Sequence, residues 1–301
     1  MKATIEFAAV IPTQQYGNIQ PRITLTDIDI KEGTDIAQAY IEALSGQYSE
    51  KGAFVRKTSM VIGKPEKSFN EGIEINYDPI AHSYVFKGKT LVSATEYIDR
   101  FYKPFDSEAI SKVSANAWGV EQESVKGVWD SNGDLTSAFG NVVHKALEHF
   151  DKYQAMGAMV QANKSLPENY ALPKHPILKS IIEGFMAVNK TVGTPVTEAM
   201  ISDVESGVCG RSDRILILDQ EKKVCRVQDY KVNVNSEEVK SQNKALPPFA
   251  DLPANKITKY QLQLSLYANM LQKSGWTVEG LDVFVYEDGW KHFELPVLKV
   301  I

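Results

Sequence analysis

The segment 207–231 constrains the fold most, because it has the pattern of a β-hairpin with charged residues placed among apolar ones. The runs 208–218 and 224–232 are rich in β-branched and aliphatic residues, and the polar segment 219–223 separates them. Such a pair of runs around a short polar turn predicts two antiparallel strands, and hence a sheet that carries whatever chemistry these charges serve.

The charges of this hairpin are predicted to share one face. If Leu218 pairs with Val224, Asp213 lies opposite Asp229, and Lys231 follows two residues later on the same side. Two carboxylates and a lysine on an apolar face cost free energy unless they bind something. A divalent cation such as Mg²⁺ prefers carboxylate oxygens, so the pattern indicates metal-dependent phosphodiester hydrolysis. The alternative is an ordinary exposed ion pair near a strand end.

A second segment, 136–150, repeats apolar residues at helical spacing and predicts an amphipathic helix. His144 and Glu148 are four residues apart, so both project from one side of it. Histidine is a frequent metal ligand, and we expect Gly140 to allow a neighbouring backbone to approach closely. The alternative is a surface histidine beside a helical glutamate.

Two further segments complete the pattern. A helix is predicted over 255–275, with Asn255 as its N-cap and Gly275 as the residue that ends it. Gln263 and Tyr267 lie four apart beside its buried stripe. A strand is predicted over 197–203, and its Glu198 is either a further acidic group of the site or an exposed residue at the start of the strand.

Taken in order, these segments resemble the PD-(D/E)XK nuclease superfamily, in particular its RecB-like and phage exonuclease branch. The resemblance covers roughly residues 73–301. Two departures are Ser212, where proline often precedes the aspartate, and Val232, where threonine often follows the lysine. The matching residues, in chain order, are Gly140, His144, Glu148, Glu198, Gly210, Asp213, Asp229, Lys231, Gln263 and Tyr267.

The resemblance implies a role for each residue. His144, Asp213, Asp229 and the backbone carbonyl of Tyr230 would bind Mg²⁺ or Mn²⁺. Asp213 and Asp229 would then be catalytic together with Lys231, which would orient or activate the attacking water and offset charge on the phosphate.

The remaining matched residues would act around this centre. Glu148 and Glu198 would support the metal ligands, and Gln263 and Tyr267 would support the site and contact the nucleic acid strand. The function implied is a Mg²⁺-dependent DNA nuclease, an exonuclease of phage type in recombination or DNA-end processing. Its partners would be DNA and a single-strand-annealing or other recombination protein. Two alternatives stay open: a catalytically silent nucleic-acid-binding protein on a nuclease fold, and a hydrolase of small phosphoesters.

Composition sets limits on these interpretations. The 301 residues carry a formal charge of −5, which argues against a broadly basic DNA-coating protein. Phosphate contacts would instead come from a local patch, for which Lys240, Lys244, Lys256 and Lys259 are candidates. Two cysteines cannot supply the four thiolates of an iron–sulfur cluster, and in the predicted register they are not opposite each other, so neither a cluster nor a disulfide is expected.

The predicted organisation is a small β-rich domain with a linker at 1–72, followed by a nuclease domain at 73–301. The first contains predicted strands at 3–11, 19–25 and 54–62 and a short helix at 35–44. The second is α/β, with a restriction-endonuclease-like core in which helices flank a central mixed β-sheet. It begins with a predicted hairpin of 74–77 with 83–86, and a helical region is predicted over 107–130. Without an apolar span or signal peptide, a cytoplasmic protein of a bacterial host or phage-infected cell is expected, with no membrane partner and an undetermined oligomeric state.

Overall fold

The fold was analysed in a computed structural model of the chain. Side chains are described for residues 65–78, 83–153, 172–232 and 244–301. The backbone is described for these residues, for 64 and 154–160, and for four N-terminal segments, 2–8, 11–12, 18–19 and 22–29.

The contacts divide the described chain into two compact units. One contains the described residues up to Lys67 together with Ile73–Ser93, and the other contains Ser68–Gly72 together with Ala94–Ile301. The predicted boundary after residue 72 therefore differs from this division, because 73–93 groups with the N-terminal strands. The functional domains 1–72 and 73–301 stay a prediction.

Antiparallel pairing builds the first unit. β1 (Lys2–Ala8) pairs with β4 (Arg22–Asp29), and β2 (Ile11–Pro12) pairs with β3 (Asn18–Ile19). A four-stranded meander contains β5 (Lys64–Lys67), β6 (Glu74–Asp78), β7 (Ser83–Phe86) and β8 (Lys89–Ser93). The predicted strand 3–11 corresponds to β1 and β2, and the predicted strand 19–25 corresponds to the end of β3 and the first half of β4, so strands are confirmed there with different bounds. The hairpin predicted within 74–86 is confirmed, whereas the predicted helix 35–44 and strand 54–62 lie outside the described residues.

A mixed sheet forms the centre of the second unit. Its strands, in spatial order, are β9 (Thr194–Asp203), β10 (Val208–Asp219), β11 (Val224–Val232), β12 (Thr277–Tyr286) and β13 (Trp290–Leu295). β11 and β12 are parallel, and the other neighbours are antiparallel. β11 and β12 can be parallel because the long connection between them contains a helix and carries the chain back to the end of the sheet at which β11 begins.

The described helices all belong to this second unit. They are α1 (Ala94–Asp99), α2 (Ser107–Trp118), α3 (Gln122–Val160), α4 (Pro176–Val188) and α5 (Lys256–Lys273). The predicted helix 136–150 is the middle of α3, which is 39 residues long. None of the helices within the described residues combines the length and the apolar character needed to cross a membrane.

The ends of two helices show how local sequence sets the boundaries. α2 ends because Gly119 adopts a left-handed conformation with φ of 67°, which glycine allows at little cost, so the helical region predicted over 107–130 is interrupted here. α5 begins after Asn255, whose side chain accepts a hydrogen bond from the backbone N–H of Thr258 at 2.8 Å. Gly275 has φ of 82° just beyond its end, so both predicted ends of this helix are confirmed.

Helices cover both faces of the sheet in the second unit. One face packs against α1 and α5 around the buried side chains Ile98, Leu262, Val227 and Val283. The other packs against α3 and α4 around a cluster of buried side chains that includes Val143, Leu147, Ile181, Phe185, Tyr230 and Phe284. The described fold is therefore α/β, with a mixed sheet flanked by helices. Both cysteines, Cys209 and Cys225, are buried and free.

Candidate functional site

The hairpin of β10 and β11 has the predicted register over most of its length. Four successive pairs, from Arg214 with Gln228 to Ile217 with Cys225, follow it. The predicted pair of Leu218 with Val224 is wrong, because the register shifts and Asp219 pairs with Val224. This irregularity adds one residue to β10 beside the turn. The shift lies beside the turn, at the end of the hairpin far from Asp213 and Asp229, so it does not change the predicted register next to the two aspartates.

Asp213, Asp229 and Lys231 lie together just beyond the last pair of this ladder. The Nζ atom of Lys231 is 2.5 Å from Oδ2 of Asp229 and 3.9 Å from Oδ2 of Asp213. The backbone N–H of Tyr230 donates to the same Asp213 oxygen at 3.3 Å, and burial together with the negative charge of Asp213 raises the pKa of Asp229. The hairpin therefore gathers the predicted charges into one cluster.

The histidine of α3 joins this cluster from a different element. Nδ1 of His144 lies 3.4 Å from Oδ2 of Asp213, and the backbone of Tyr230 is close enough to act on the pKa of the imidazole. Its ring also meets the ring of Tyr230 edge to face, with centroids 5.8 Å apart. His144 is thus not an isolated surface histidine, and it lies beside the carboxylate and the peptide group predicted as metal ligands.

The chemistry of these donors fits a hard divalent cation. Two carboxylates, an imidazole nitrogen and a backbone carbonyl are ligand types that Mg²⁺ and Mn²⁺ accept. Within the described residues, however, no three His, Cys, Asp or Glu side chains are arranged to hold a metal as they stand. The ammonium of Lys231 lies against Asp229 and supplies positive charge there.

Burial gives the titrating groups of the cluster unusual properties. Burial and the neighbouring Asp213 raise the pKa of Asp229 from 3.8 to about 7, although Lys231 opposes the rise. Burial and the charge of Lys231 lower the pKa of His144, which favours the neutral imidazole that a metal requires. Burial disfavours the charge of Lys231, but Asp229 and Asp213 outweigh it and raise its pKa, so the ammonium persists.

This arrangement predicts a pH dependence of stability in metal-free buffer. The folded-state pKa of Asp229, about 7, exceeds its ordinary value of 3.8, so the folded protein binds this proton more tightly than the unfolded chain does. The stabilisation that the proton on Asp229 provides is complete below pH 3.8 and is lost as the pH rises through 7. Asp229→Asn removes this loss. Its free energy of unfolding relative to wild type should rise between pH 4 and pH 8, by up to about 4 kcal/mol at about 1.4 kcal/mol per pKa unit.

Asp203→Asn is the matched control for that measurement, made by urea denaturation with EDTA present. Burial raises the pKa of Asp203, but hydrogen bonds from Lys273 and Ser206 outweigh it and lower the pKa overall. The stability due to Asp203 is therefore present at pH 8 and is lost as pH falls, which is the opposite sign. A rise of equal size for both variants would show that burial of Asp229 is not the cause.

The two predicted supporting glutamates lie in a separate group of charges. The carboxylate of Glu148 pairs with Lys145 at 2.8 Å and with Lys152. Glu198 lies 4.0 Å from Arg211, whose Nη1 also donates to the Glu198 carbonyl at 3.2 Å. Burial and the charge of Glu148 raise the pKa of Glu198, so the two carboxylates repel each other electrostatically. Glu198 also has φ of 53°, a conformation that is unfavourable for glutamate, between the pairs that β9 and β10 form around Asp213.

Gln263 and Tyr267 occupy positions that support the strand of Asp213. Tyr267 is buried and its hydroxyl donates to the backbone carbonyl of Arg211 at 3.0 Å, while Gln263 donates to the same hydroxyl at 3.4 Å. A Cβ atom at Gly210 would lie 2.7 Å from the Tyr267 ring, so this close packing requires glycine. The supporting part of the predicted role has a structural basis, and the contact with nucleic acid stays a prediction.

Two other expectations gain less from the structure. A Cβ atom at Gly140 would meet nothing within 4 Å among the described residues, so no described backbone makes the expected close approach there. Of the candidate phosphate-binding lysines, Lys240 lies outside the described residues. Lys259 is paired with Asp99, and Lys244 donates to the carbonyl of Asp251 at 3.1 Å.

Sequence patterns missed a buried ion pair that fixes the histidine helix to the hairpin. Arg214 donates to both carboxylate oxygens of Asp151, at 2.7 and 3.1 Å, and also to Gln228. Asp151 lies seven residues after His144, or about two helical turns, and Arg214 follows Asp213 directly. The pair therefore sets the position of His144 relative to Asp213. The available signal was Asp151 on the same side of the helix as His144.

Comparisons with known proteins do not assign a family. No protein-family model matches the chain, and no curated protein sequence matches it. Among solved structures, the crystal structure of SSO0001 is similar at 16% sequence identity with a TM-score of 0.24. The match covers 52% of this chain and 64% of that chain, so this chain spans less than two thirds of SSO0001. A TM-score of 0.24 does not show a shared fold, so the support for a function comes from the site itself.

Proposed function

We propose that this protein is a Mg²⁺-dependent DNA nuclease with a restriction-endonuclease-like core. The observation that supports this most is the convergence of His144 from α3 with Asp213, Asp229 and Lys231 from two neighbouring strands. Three separate segments, each of ambiguous meaning in the sequence, supply adjacent donors of the types that a metal-dependent nuclease requires.

The chemistry follows from the character of each group. Mg²⁺ or Mn²⁺ would be held by His144, Asp213, Asp229 and the carbonyl of Tyr230; when bound, it lowers the pKa of water and clamps phosphate oxygens. Lys231 is not a ligand, because a protonated ammonium has no lone pair. Its charge is preorganised to orient the attacking water and to offset the charge that develops on the phosphate. The Asp213, Lys231 and His144 side chains keep 21%, 22% and 28% of their surface exposed, which leaves them accessible to a substrate.

We further propose that the enzyme is an exonuclease of phage type acting in recombination or DNA-end processing within the cytoplasm. DNA would be its substrate, with a single-strand-annealing or other recombination protein as a partner. This part of the proposal rests on the resemblance of the motifs. The test is digestion of end-labelled linear duplex, circular duplex and single-stranded DNA with Mg²⁺. Degradation of linear DNA with intact circles is expected, whereas cleaved circles would contradict the exonuclease assignment.

One observation favours a second function. Because no three metal-binding side chains are arranged to hold an ion among the described residues, and because Lys231 lies against Asp229, the site is also compatible with nucleic-acid binding without turnover. The same digestion decides between the two functions. Binding of DNA without product in Mg²⁺ or Mn²⁺ would support the silent binding protein and exclude the nuclease.

The role of His144 gives a separate prediction. His144→Ala should raise the Mn²⁺ concentration needed for half-maximal cleavage by about 10-fold or more, because loss of a ligand or of its support typically has this effect. His149→Ala is the matched control, since His149 is exposed on the same helix and contacts the ring of Tyr153. Equal Mn²⁺ dependence in His144→Ala and wild type would exclude His144 from the metal site.

A further inference from the structure

The ammonium of Lys231 is held by groups of two different kinds. On one side lie the carboxylates of Asp229 and Asp213, at 2.5 and 3.9 Å from Nζ. In addition, the face of the Tyr260 ring lies against it, with Nζ 5.1 Å from the ring centroid. This distance is within the range in which the negative face of an aromatic ring attracts a cation.

The ring of Tyr260 is itself held in place. Asn255 caps the first turn of α5, only five residues before Tyr260. Lys259 pairs with Asp99 of α1, and Tyr260 packs against the core that α1 and α5 share with the sheet. Burial raises the pKa of Tyr260, which keeps its hydroxyl protonated and its ring neutral. A neutral, fixed ring can hold an ammonium without cancelling its charge.

The two kinds of partner differ in what they can do during the reaction. The proposed function assigns the carboxylates of Asp213 and Asp229 to the metal. With metal bound, their oxygens would be shared between the metal and the Lys231 ammonium. The Tyr260 ring has no such competing role, and its attraction for Lys231 does not depend on whether the carboxylates bind metal. A lysine with a flexible four-carbon stem needs such a fixed partner to present its charge in one place.

We propose that Tyr260 is a positioning residue that holds the Lys231 ammonium through the face of its ring. The proposal rests on the proposed function, because its consequence for turnover requires that Lys231 act in DNA cleavage. The ring of Tyr260, and not its hydroxyl, holds the ammonium. Loss of the ring therefore slows the chemical step and leaves substrate binding unchanged.

The test compares Tyr260→Phe, which keeps the ring, with Tyr260→Leu and Tyr260→Met, which remove it. We expect kcat for linear duplex DNA to fall about 10-fold in the Leu and Met variants, with KM changed less than 2-fold and with Tyr260→Phe near wild type. In a Lys231→Met background, Tyr260→Leu should have no further effect. Phe86→Leu is the matched control, because its ring lies 5.1 Å from Nζ of Lys87, a lysine to which the proposed function assigns no role.

A readout that needs no catalysis separates this proposal from the proposed function. In protein labelled with ¹³C-lysine, the ε-CH₂ resonance of Lys231, assigned with Lys231→Met, should show a ring-current shift in wild type and Tyr260→Phe. The shift should be absent in Tyr260→Leu and Tyr260→Met. If wild type shows this shift but never cleaves DNA, the proposed function fails while the contact with the ring stands.

Several results would overturn the proposal. No ring-current shift in wild type would show that the ring does not hold the lysine. A loss of kcat in Tyr260→Phe as large as in Tyr260→Leu would assign the role to the hydroxyl. A 10-fold further loss caused by Tyr260→Leu in the Lys231→Met background would show that the ring does not act through Lys231. Tyr260→Met keeps the test decisive if Tyr260→Leu does not fold.

Discussion

Asp213→Ala and Asp229→Asn are each expected to reduce DNA cleavage to background while the chain stays folded. Asp229 is 5% exposed, and this burial together with the neighbouring charge of Asp213 raises its pKa. Their proximity costs free energy in the folded protein, because two acidic groups compete to hold negative charge in a buried site. Their removal should therefore spare the fold and abolish the binding of metal. The measurement is release of labelled nucleotide from linear duplex DNA in saturating Mg²⁺.

Asp219→Asn provides the control on the same hairpin. Asp219 lies at the turn, where its carboxylate pairs with Lys222 at 3.2 Å, away from the proposed metal ligands. Cleavage by this variant should equal that of wild type. Circular dichroism and thermal unfolding of all three variants would report whether any loss of activity reflects loss of structure. Cleavage near the wild-type rate by either Asp213→Ala or Asp229→Asn would disprove the assignment of the site.

Lys231→Ala is expected to lower kcat by about 100-fold or more, with only a modest loss of DNA affinity. Lysine is not required to hold the metal, and its charge is most valuable where negative charge develops on the phosphate. Its ammonium lies 2.5 Å from Asp229 and is therefore fixed beside the proposed ligands before substrate arrives. Affinity should be measured in Ca²⁺, and turnover in Mg²⁺ under single-turnover conditions.

The comparison with a lysine elsewhere in the hairpin makes this result specific. Lys222→Ala removes an exposed lysine that pairs with Asp219, and it should leave both kcat and affinity unchanged. Equal losses of affinity and of kcat in Lys231→Ala would mean that Lys231 only contacts the DNA backbone. The division of labour between metal ligands and lysine would then be wrong.

Much of this site could be predicted because its elements have strong local patterns. Two runs rich in β-branched and aliphatic residues around a polar turn predict the hairpin, and counting back from the turn predicts that Asp213 lies opposite Asp229. The ladder from Arg214 with Gln228 to Ile217 with Cys225 follows this predicted register. The shift at Leu218 could not be predicted, since a bulge beside a turn leaves no clear mark in apolar alternation. The cap at Asn255 likewise has a local signal and was predicted, whereas the extension of α3 to 39 residues was not.

Contacts between distant segments were harder to infer. Nothing in the spacing of residues places His144 within 3.4 Å of Asp213, and only the resemblance suggested that they meet. The pair of Arg214 with Asp151 joins positions 63 residues apart, and the pairing of ring and ammonium at Tyr260 joins α5 to β11. Such pairs depend on how helices pack on the sheet, and a single sequence carries little information about this packing.

One measurement tests the central claim most directly: release of labelled nucleotide from linear duplex DNA in Mg²⁺, after addition of EDTA, and after Mg²⁺ is restored. If His144, Asp213, Asp229 and Lys231 form a metal-dependent hydrolytic site, wild type releases nucleotide in Mg²⁺, stops in EDTA and resumes when Mg²⁺ returns. Asp213→Ala should release none at any Mg²⁺ concentration. Release that continues in EDTA, or release by Asp213→Ala at the wild-type rate, would contradict the assignment of metal-dependent cleavage to this site.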